Sequence, residues 1–276
     1  MSAAGGRFGE RLRGWRARRG LSQLALAGAA GTTQRHLSFL ESGRAAPSRA
    51  MVLRLAQALD VPLRQQNALL LAAGLAPAWP ERSLDAPALA GVERALGFML
   101  AQQEPYPAVV VDRRWTLLRA NAAAARLTSF LLGPAPPAAA PAAPPNLAEL
   151  LLSPQGLRPA LANWTEVAAY FLRGVAADAL ADGSDETAAL HARLLALPDV
   201  PALAQAQPID EAPSPVLAMH FRKGGTALRL FTTIATLGTP QDVTLQELRV
   251  ECFFPADAET ASLLRAWAAR DDQAGN

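Results

Sequence analysis

Gln34 and Arg35 stand side by side in TTQRHLSFLESGR, residues 32–44. A glutamine amide can bond two edge groups of adenine at once, and a guanidinium can bond both acceptors of guanine. Thr33, His36 and Ser38 surround them with further polar side chains, and Phe39 offers only apolar contact, for example to a thymine methyl. At helical spacing Leu37 and Leu40 fall on the opposite side and would face a core. Thr33, Gln34, Arg35, Ser38 and Phe39 then share the presented face. The preceding SQLALAGAAG (22–31) reads as a second short helix joined to the first by a glycine turn, with Leu24 and Ala27 expected inward. Two short helices joined so tightly let one enter a major groove while the other braces it.

No catalytic constellation accompanies them. The three histidines, His36, His191 and His220, have no partner at metal-ligand spacing. One cysteine, Cys252, excludes an internal disulfide and a cysteine-cluster metal site. It falls on the apparent inward phase of a strand, as a buried and inert thiol. No nucleophile elbow, phosphate loop or dinucleotide fingerprint occurs. The expectation is therefore no metal, no cofactor and no enzymatic activity. The competing class is an enzyme acting on a small lipophilic molecule, with the head as an autoregulatory attachment. The lack of paired acid and base residues argues against it.

Apolar chemistry is more plentiful. Phe98, Trp115, Phe130, Trp164, Phe171, Phe231 and Phe253 are either cavity lining or ordinary core. In WTEVAAYFLRGVA (164–176), Ala168 is small enough to leave room beside Phe171. Arg173 either pairs with a ligand carboxylate or snorkels outward. Asn121 reads as a helix cap.

The elements that must position these residues follow from periodicity and punctuation. Five helical segments fill the head. Residues 7–19 carry Phe8, Leu12 and Trp15 at helical spacing, and Gly20 breaks the segment. Ser22 and Thr32 cap the second and third helices, Gly31 makes the turn and Gly43 stops the third. The fourth opens after Pro47-Ser48 with an apolar stripe of Val52, Leu55, Ala56 and Leu59, and the fifth spans 63–73. Residues 83–104 form a further helix with Leu89, Val92, Leu96 and Met99 on one side, a connector and a possible dimer contact. Strands are expected at 108–111 and 115–119, and helices from 121 and at 147–152, 163–180 and 185–196. Three strands then lie within PVLAMHFR, TALRLFTTIATL and VTLQELRVECFF, the last with a bulge at 247–248, and a helix spans 257–269. Gly224-Gly225 turns a hairpin. Residues 133–145 are a Pro/Ala tract, an excursion from the second domain. The expected fold is an all-α five-helix head followed by a mixed α/β domain around an antiparallel sheet.

Charge separates the two parts. Up to Arg82 there are twelve arginines against Glu10, Glu41, Asp60 and Glu81, a net +8, which leaves −6 for the rest of a chain whose total is +2. A basic head on an acidic body suggests that the head meets a polyanion. No apolar run is long enough to cross a membrane, and arginines occupy the place of a signal peptide's apolar block, so the expected compartment is the cytoplasm, at the nucleoid.

The head resembles the helix-turn-helix of Xre/Cro-type repressors over residues 8–74. Ser22-Gln23, Ala27, Gly31-Thr32, Leu37, Leu40-Glu41, Gly43-Arg44, Pro47-Ser48, Leu55-Ala56 and Leu59 fall in that pattern. The resemblance implies a lambda-repressor-like fold and a double-stranded DNA operator. It implies that Gln23 and His36 approach phosphates, that Gln34, Arg35 and Phe39 approach bases, and that Arg44 holds the backbone. Most of residues 80–270 resembles regulators with an MmyB-like ligand-binding domain, through RHLSFLESGRAAPSR, PLRQQNALLLAAGLAP, YPAVVVDRRWTLLRAN and a TLGTP…ECFFPAD ending. That likeness implies a PAS-like fold with an apolar cavity for a small lipophilic effector such as a fatty acid. Trp115, Phe130, Trp164, Ala168, Phe171, Arg173 and Phe231 are the candidate lining. The domains expected are 1–80, a connector at 81–105, and 106–270. Two half-sites related by a two-fold axis would require a homodimer. A ligand-free dimerisation scaffold is the remaining alternative.

Overall fold

The computed structural model describes residues 3–133, 143–200 and 216–274. Most of the Pro/Ala tract, residues 134–142, lies outside them. The chain divides into two compact units, one of residues 1–82 with 180–184 and 239–246, the other of 83–179 with 185–238 and 247–276.

The first unit holds helices α1 (Ala3–Arg18), α2 (Gln23–Ala29), α3 (Gln34–Glu41), α4 (Arg49–Ala58) and α5 (Leu63–Ala72). Their boundaries are chemical. Ser22, Thr33 and Ser48 each turn a hydroxyl back to accept from the amide three residues on, Ala25, His36 and Met51 respectively. Gly20 and Gly31 sit at φ +64° and +62°, where a β-carbon would be strained. The third helix is thus capped by Thr33 and not Thr32, one residue later than its spacing suggests. Phe8, Leu12, Trp15, Ala27, Leu37, Leu40, Val52, Leu55, Ala56 and Leu59 form one buried cluster, as their periodicity predicts. Leu24 does not join it. It is 66% exposed, and Leu26 takes the inward place.

The second unit carries α6 (Ala90–Gln102), β1 (Ala108–Val111), β2 (Leu117–Ala120), α7 (Ala122–Leu132) and α8 (Leu147–Leu152), then α9 (Trp164–Asp182), whose last turn belongs to the first unit, and α10 (Asp185–Leu195). They are followed by β3 (Ala218–Lys223), β4 (Thr226–Ala235), a short α11 (Val243–Glu247) that belongs to the first unit in all but its last residue, β5 (Arg249–Pro255) and α12 (Ala258–Ala274). The five strands form one antiparallel sheet in the order β2-β1-β5-β4-β3. Gly224 and Gly225, both at positive φ, turn β3 into β4. The expected strand at 243–254 is in fact a helical turn followed by β5, so the out-of-step pair at 247–248 marks a change of element and not a bulge. The other expected strands and helices form with shifted ends.

Candidate functional site

Two sites are built, one on each unit. In the head, the backbone of α3 is fixed at both ends. Thr33 caps the start, and the Phe39 carbonyl accepts from the amides of Arg44 (2.8 Å) and Ala45 (3.2 Å) just beyond the end. Leu37 and Leu40 are buried, while Gln34 and Arg35 are exposed and Ser38, Phe39 and His36 are half-buried. The Arg35 guanidinium lies over the Phe39 ring at 5.5 Å, which holds it beside the apolar contact surface. Arg44 is exposed on the following loop.

Behind this face sits a buried carboxylate, Glu41, 4% exposed. Arg16 of α1 holds it with two bonds, Nε to Oε1 at 2.6 Å and a terminal nitrogen to Oε2 at 3.0 Å. Gln23 of α2 donates its amide to Oε2 at 2.9 Å. Burial alone would raise the Glu41 carboxyl, but the hydrogen bonds from Arg16 and Gln23, with the charges of Arg16 and Arg13, outweigh it and hold the group below its usual range. Three helices are thereby tied at one point. Gln23 spends its amide on this knot and Thr33 its hydroxyl on the cap, so both act as braces of α3. Gly9 completes the fit. A β-carbon there would stand 2.7 Å from the Leu40 carbonyl oxygen and closer still to that of Glu41.

In the second unit, Trp115, Ala168 and Phe171 meet in one buried cluster with Val109, Val167, Met219, Leu230 and Phe253. The Trp115 and Phe171 rings meet edge to face at 4.7 Å. Trp115 adopts φ +64°, a strained backbone for an aromatic residue. The turn that imposes it is tied by Asp112 Oδ1, which accepts from the amides of Arg114 and Thr116, both at 2.8 Å. Phe130 and Trp164 lie half-buried at the edge of this cluster, against Trp267 (4.8 Å) and under Arg158 (3.9 Å). Phe98, read as cavity lining or core, is instead exposed on α6, and two of the candidate lining residues point elsewhere. Phe231 is on the other face of β4, stacked on Phe254 at 5.4 Å. Arg173 is exposed, away from the Val167–Phe171–Val175 stripe of α9, as the outward reading had it. Cys252 is half-buried on the sheet face opposite Phe253, and burial and nearby Glu251 push its thiol up.

The phase of β5 hides the residue that spacing missed. Alternation puts Arg249, Glu251 and Phe253 on the face covered by α9, and Val250, Cys252 and Phe254 on the other. Glu251, between the apolar Val250 and Cys252, is 1% exposed. Burial pushes its carboxyl up to about 7, although the Thr232 hydroxyl and the Arg249 charge pull the other way. The available signal was a charged residue between two apolar ones in RVECFFP, a strand buried on both faces.

Among the described residues no group of His, Cys, Asp and Glu is placed to hold a metal ion, and no helix is long and apolar enough to cross a membrane. Residues 7–69 match a helix-turn-helix domain, and residues 92–266 match the MmyB-like transcription regulator ligand binding domain. No curated protein matches the chain. Among solved structures, the restriction-modification controller protein C.AhdI from Aeromonas hydrophila is 37% identical over 24% of this chain and 98% of its own, with a TM-score of 0.23. The clp gene regulator ClgR from C. glutamicum is 27% identical over 27% of this chain and 92% of its own, with a TM-score of 0.24. With the ligand-domain match extending over more than half its length, the chain belongs to the MmyB-like transcription regulators, DNA-binding regulators that carry a ligand-binding domain.

Proposed function

We propose that this regulator reads a specific duplex sequence through Gln34, Arg35 and Phe39, with Ser38 beside them, and holds the phosphate backbone with Arg44 and His36. The observation that carries the reading is the exposure of Gln34 and Arg35 on a helix whose other polar neighbours, Thr33 and Gln23, are committed to bracing it. The second unit takes a small lipophilic effector against Trp115, Phe171 and Ala168. A guest that buries most of its apolar surface gains about 0.8 kcal/mol per methylene, enough for micromolar affinity with a medium-length chain. By binding one conformation better than another, it shifts operator affinity by that difference and no more. The protein works as a homodimer, since one such module buries little DNA surface. Phe98, 68% exposed on α6, and Met99 beside it supply apolar surface for that contact. It acts where the chromosome is, in the cytoplasm.

The test uses the delipidated full chain. A lipophile should raise its melting temperature and change its affinity for a selected duplex, and Ala168→Trp should abolish both effects while DNA binding remains. If no lipophile produces a thermal shift, the second unit is a dimerisation scaffold.

A further inference from the structure

Buried polar groups without partners are rare, because each forfeits its hydration for nothing. Among the described residues the side-chain atoms in that state are Glu93 Oε2, Arg113 Nε, Trp115 Nε1, Trp164 Nε1 and both carboxyl oxygens of Glu251. Glu93 bonds Arg119 through its other oxygen, and Arg113 pairs with Glu247. Glu251 alone has a whole ionisable group buried with neither oxygen closing a well-formed hydrogen bond.

Its neighbours explain why. On its own strand, Arg249 shares the face, but that guanidinium bonds Asp178 at 2.8 Å and lies over the Trp115 ring at 5.7 Å. The cross-strand partners Val109 and Ile234 are apolar. Thr232, 8% exposed, is the polar residue of β4 on this face, and its hydroxyl is near enough to pull the Glu251 carboxyl down without closing a well-formed bond to either oxygen. From α9, Tyr170 is near enough for the Glu251 charge to act on its phenol, and its ring meets Phe171 at 5.7 Å. The result is a buried carboxyl on the strand face it shares with Phe253 and near Tyr170, with Trp115 and Phe171 in the cluster to which Phe253 belongs and Trp115 Nε1 a second unused group there.

We propose that Glu251 is the polar anchor of the effector, and that the effector is an apolar molecule whose polar end donates a hydrogen bond, an alcohol or a protonated amine. Such a donor gives Glu251 the well-formed bond that the Thr232 hydroxyl does not supply, while Trp115 and Phe171 take the apolar body. A carboxylate-ended lipid brings a second acceptor and a like charge to a group that already has too few donors. This rests on the reading of the second unit as a lipophile sensor, and it replaces a fatty acid as the expected guest.

Decylamine, 1-decanol and decanoic acid, titrated into the full chain at pH 8 by calorimetry, separate the possibilities. Decylamine or decanol should bind at least tenfold more tightly than decanoic acid. Glu251→Gln should remove that preference and admit the acid. Equal binding of acid and amine, or a preference that survives Glu251→Gln, overturns the anchor and leaves the sensor reading standing. If none of the three binds either protein, and no other lipophile shifts its melting temperature, both readings fall. Gln has nearly the same shape and no charge, so the variant should melt no lower than the parent. If it does not fold, the ranking of the three probes on the unmodified chain decides.

Discussion

Arg35 and Arg44 carry the same charge but should do different work. A guanidinium paired to a guanine edge discriminates among bases, whereas one resting on phosphate does not. Arg35→Ala is expected to cost about 1–3 kcal/mol at the preferred site and little on random duplex. Arg44→Ala should weaken both and reduce the salt dependence of binding by about one unit of log–log slope. Fluorescence anisotropy at several salt concentrations reads both. The two buried carboxyls should respond to pH in opposite directions. Glu41 is held below its usual range, so its pairing supports the fold at neutral pH and that support disappears as pH falls through the lowered value. Protection of the Leu12 and Trp15 amides from hydrogen exchange, taken relative to the intrinsic rate at each pH, should fall in acid, and Glu41→Ala should cost about 3 kcal/mol at pH 7 by leaving Arg16 without its carboxylate. Glu251 sits at about 7 against an ordinary value of 4.5. Between those values the folded state holds the proton that the unfolded state has lost, so stability falls as pH rises through the interval and stays low above it. The loss is on the order of 3 kcal/mol, and Glu251→Gln should abolish it in urea melts of the second unit.

The head's helices were largely legible, because Ser22, Gly31, Gly43 and Ser48 punctuate them with side-chain chemistry that acts within four residues. Gly9 was not legible. Nothing local demands a glycine in α1, and its reason is a close approach to the Leu40 and Glu41 carbonyls, far away in sequence. Gly9→Ala should therefore lower head stability by about 1–3 kcal/mol and weaken DNA binding by shifting the end of α3, both measurable by melting and anisotropy. The alternating VTLQELRVECFF misled because tertiary bonds override its first half. Within the first unit Val243 donates to the Pro80 carbonyl (2.9 Å), Gln246 accepts from the Leu63 amide (2.7 Å), and Asp242 accepts from Thr244 (2.9 Å), which together favour a helical turn. The second half is a strand, but with both faces covered its alternation no longer says which side is in. That is why Cys252, on the apparent inward phase, lies half-buried on the opposite face, and why the burial of Glu251 is not visible from spacing. The presented residues of α3 were visible from spacing alone. The braces Gln23 and Thr33 were not separable from them, since only the partners Glu41 and His36 reveal the difference.

Taken as one molecule, the chain joins a basic DNA-binding head to an acidic ligand-binding unit, and the proposed homodimer would let two heads cover two half-sites. Phe98→Asp on α6 should shift the sedimentation of the full chain from dimer toward monomer and lower operator affinity, while leaving the melting of both units unchanged. The central claim is that the face of α3 reads sequence. It is tested most directly by selecting duplexes from a random pool with the full chain, then measuring the ratio of selected to random affinity for the parent and for Arg35→Ala. The selected site should be two-fold symmetric and bound at least a thousandfold more tightly than random duplex, with that ratio falling by about tenfold or more in Arg35→Ala. A pool that yields no common sequence, or a ratio that Arg35→Ala leaves unchanged, would contradict that claim.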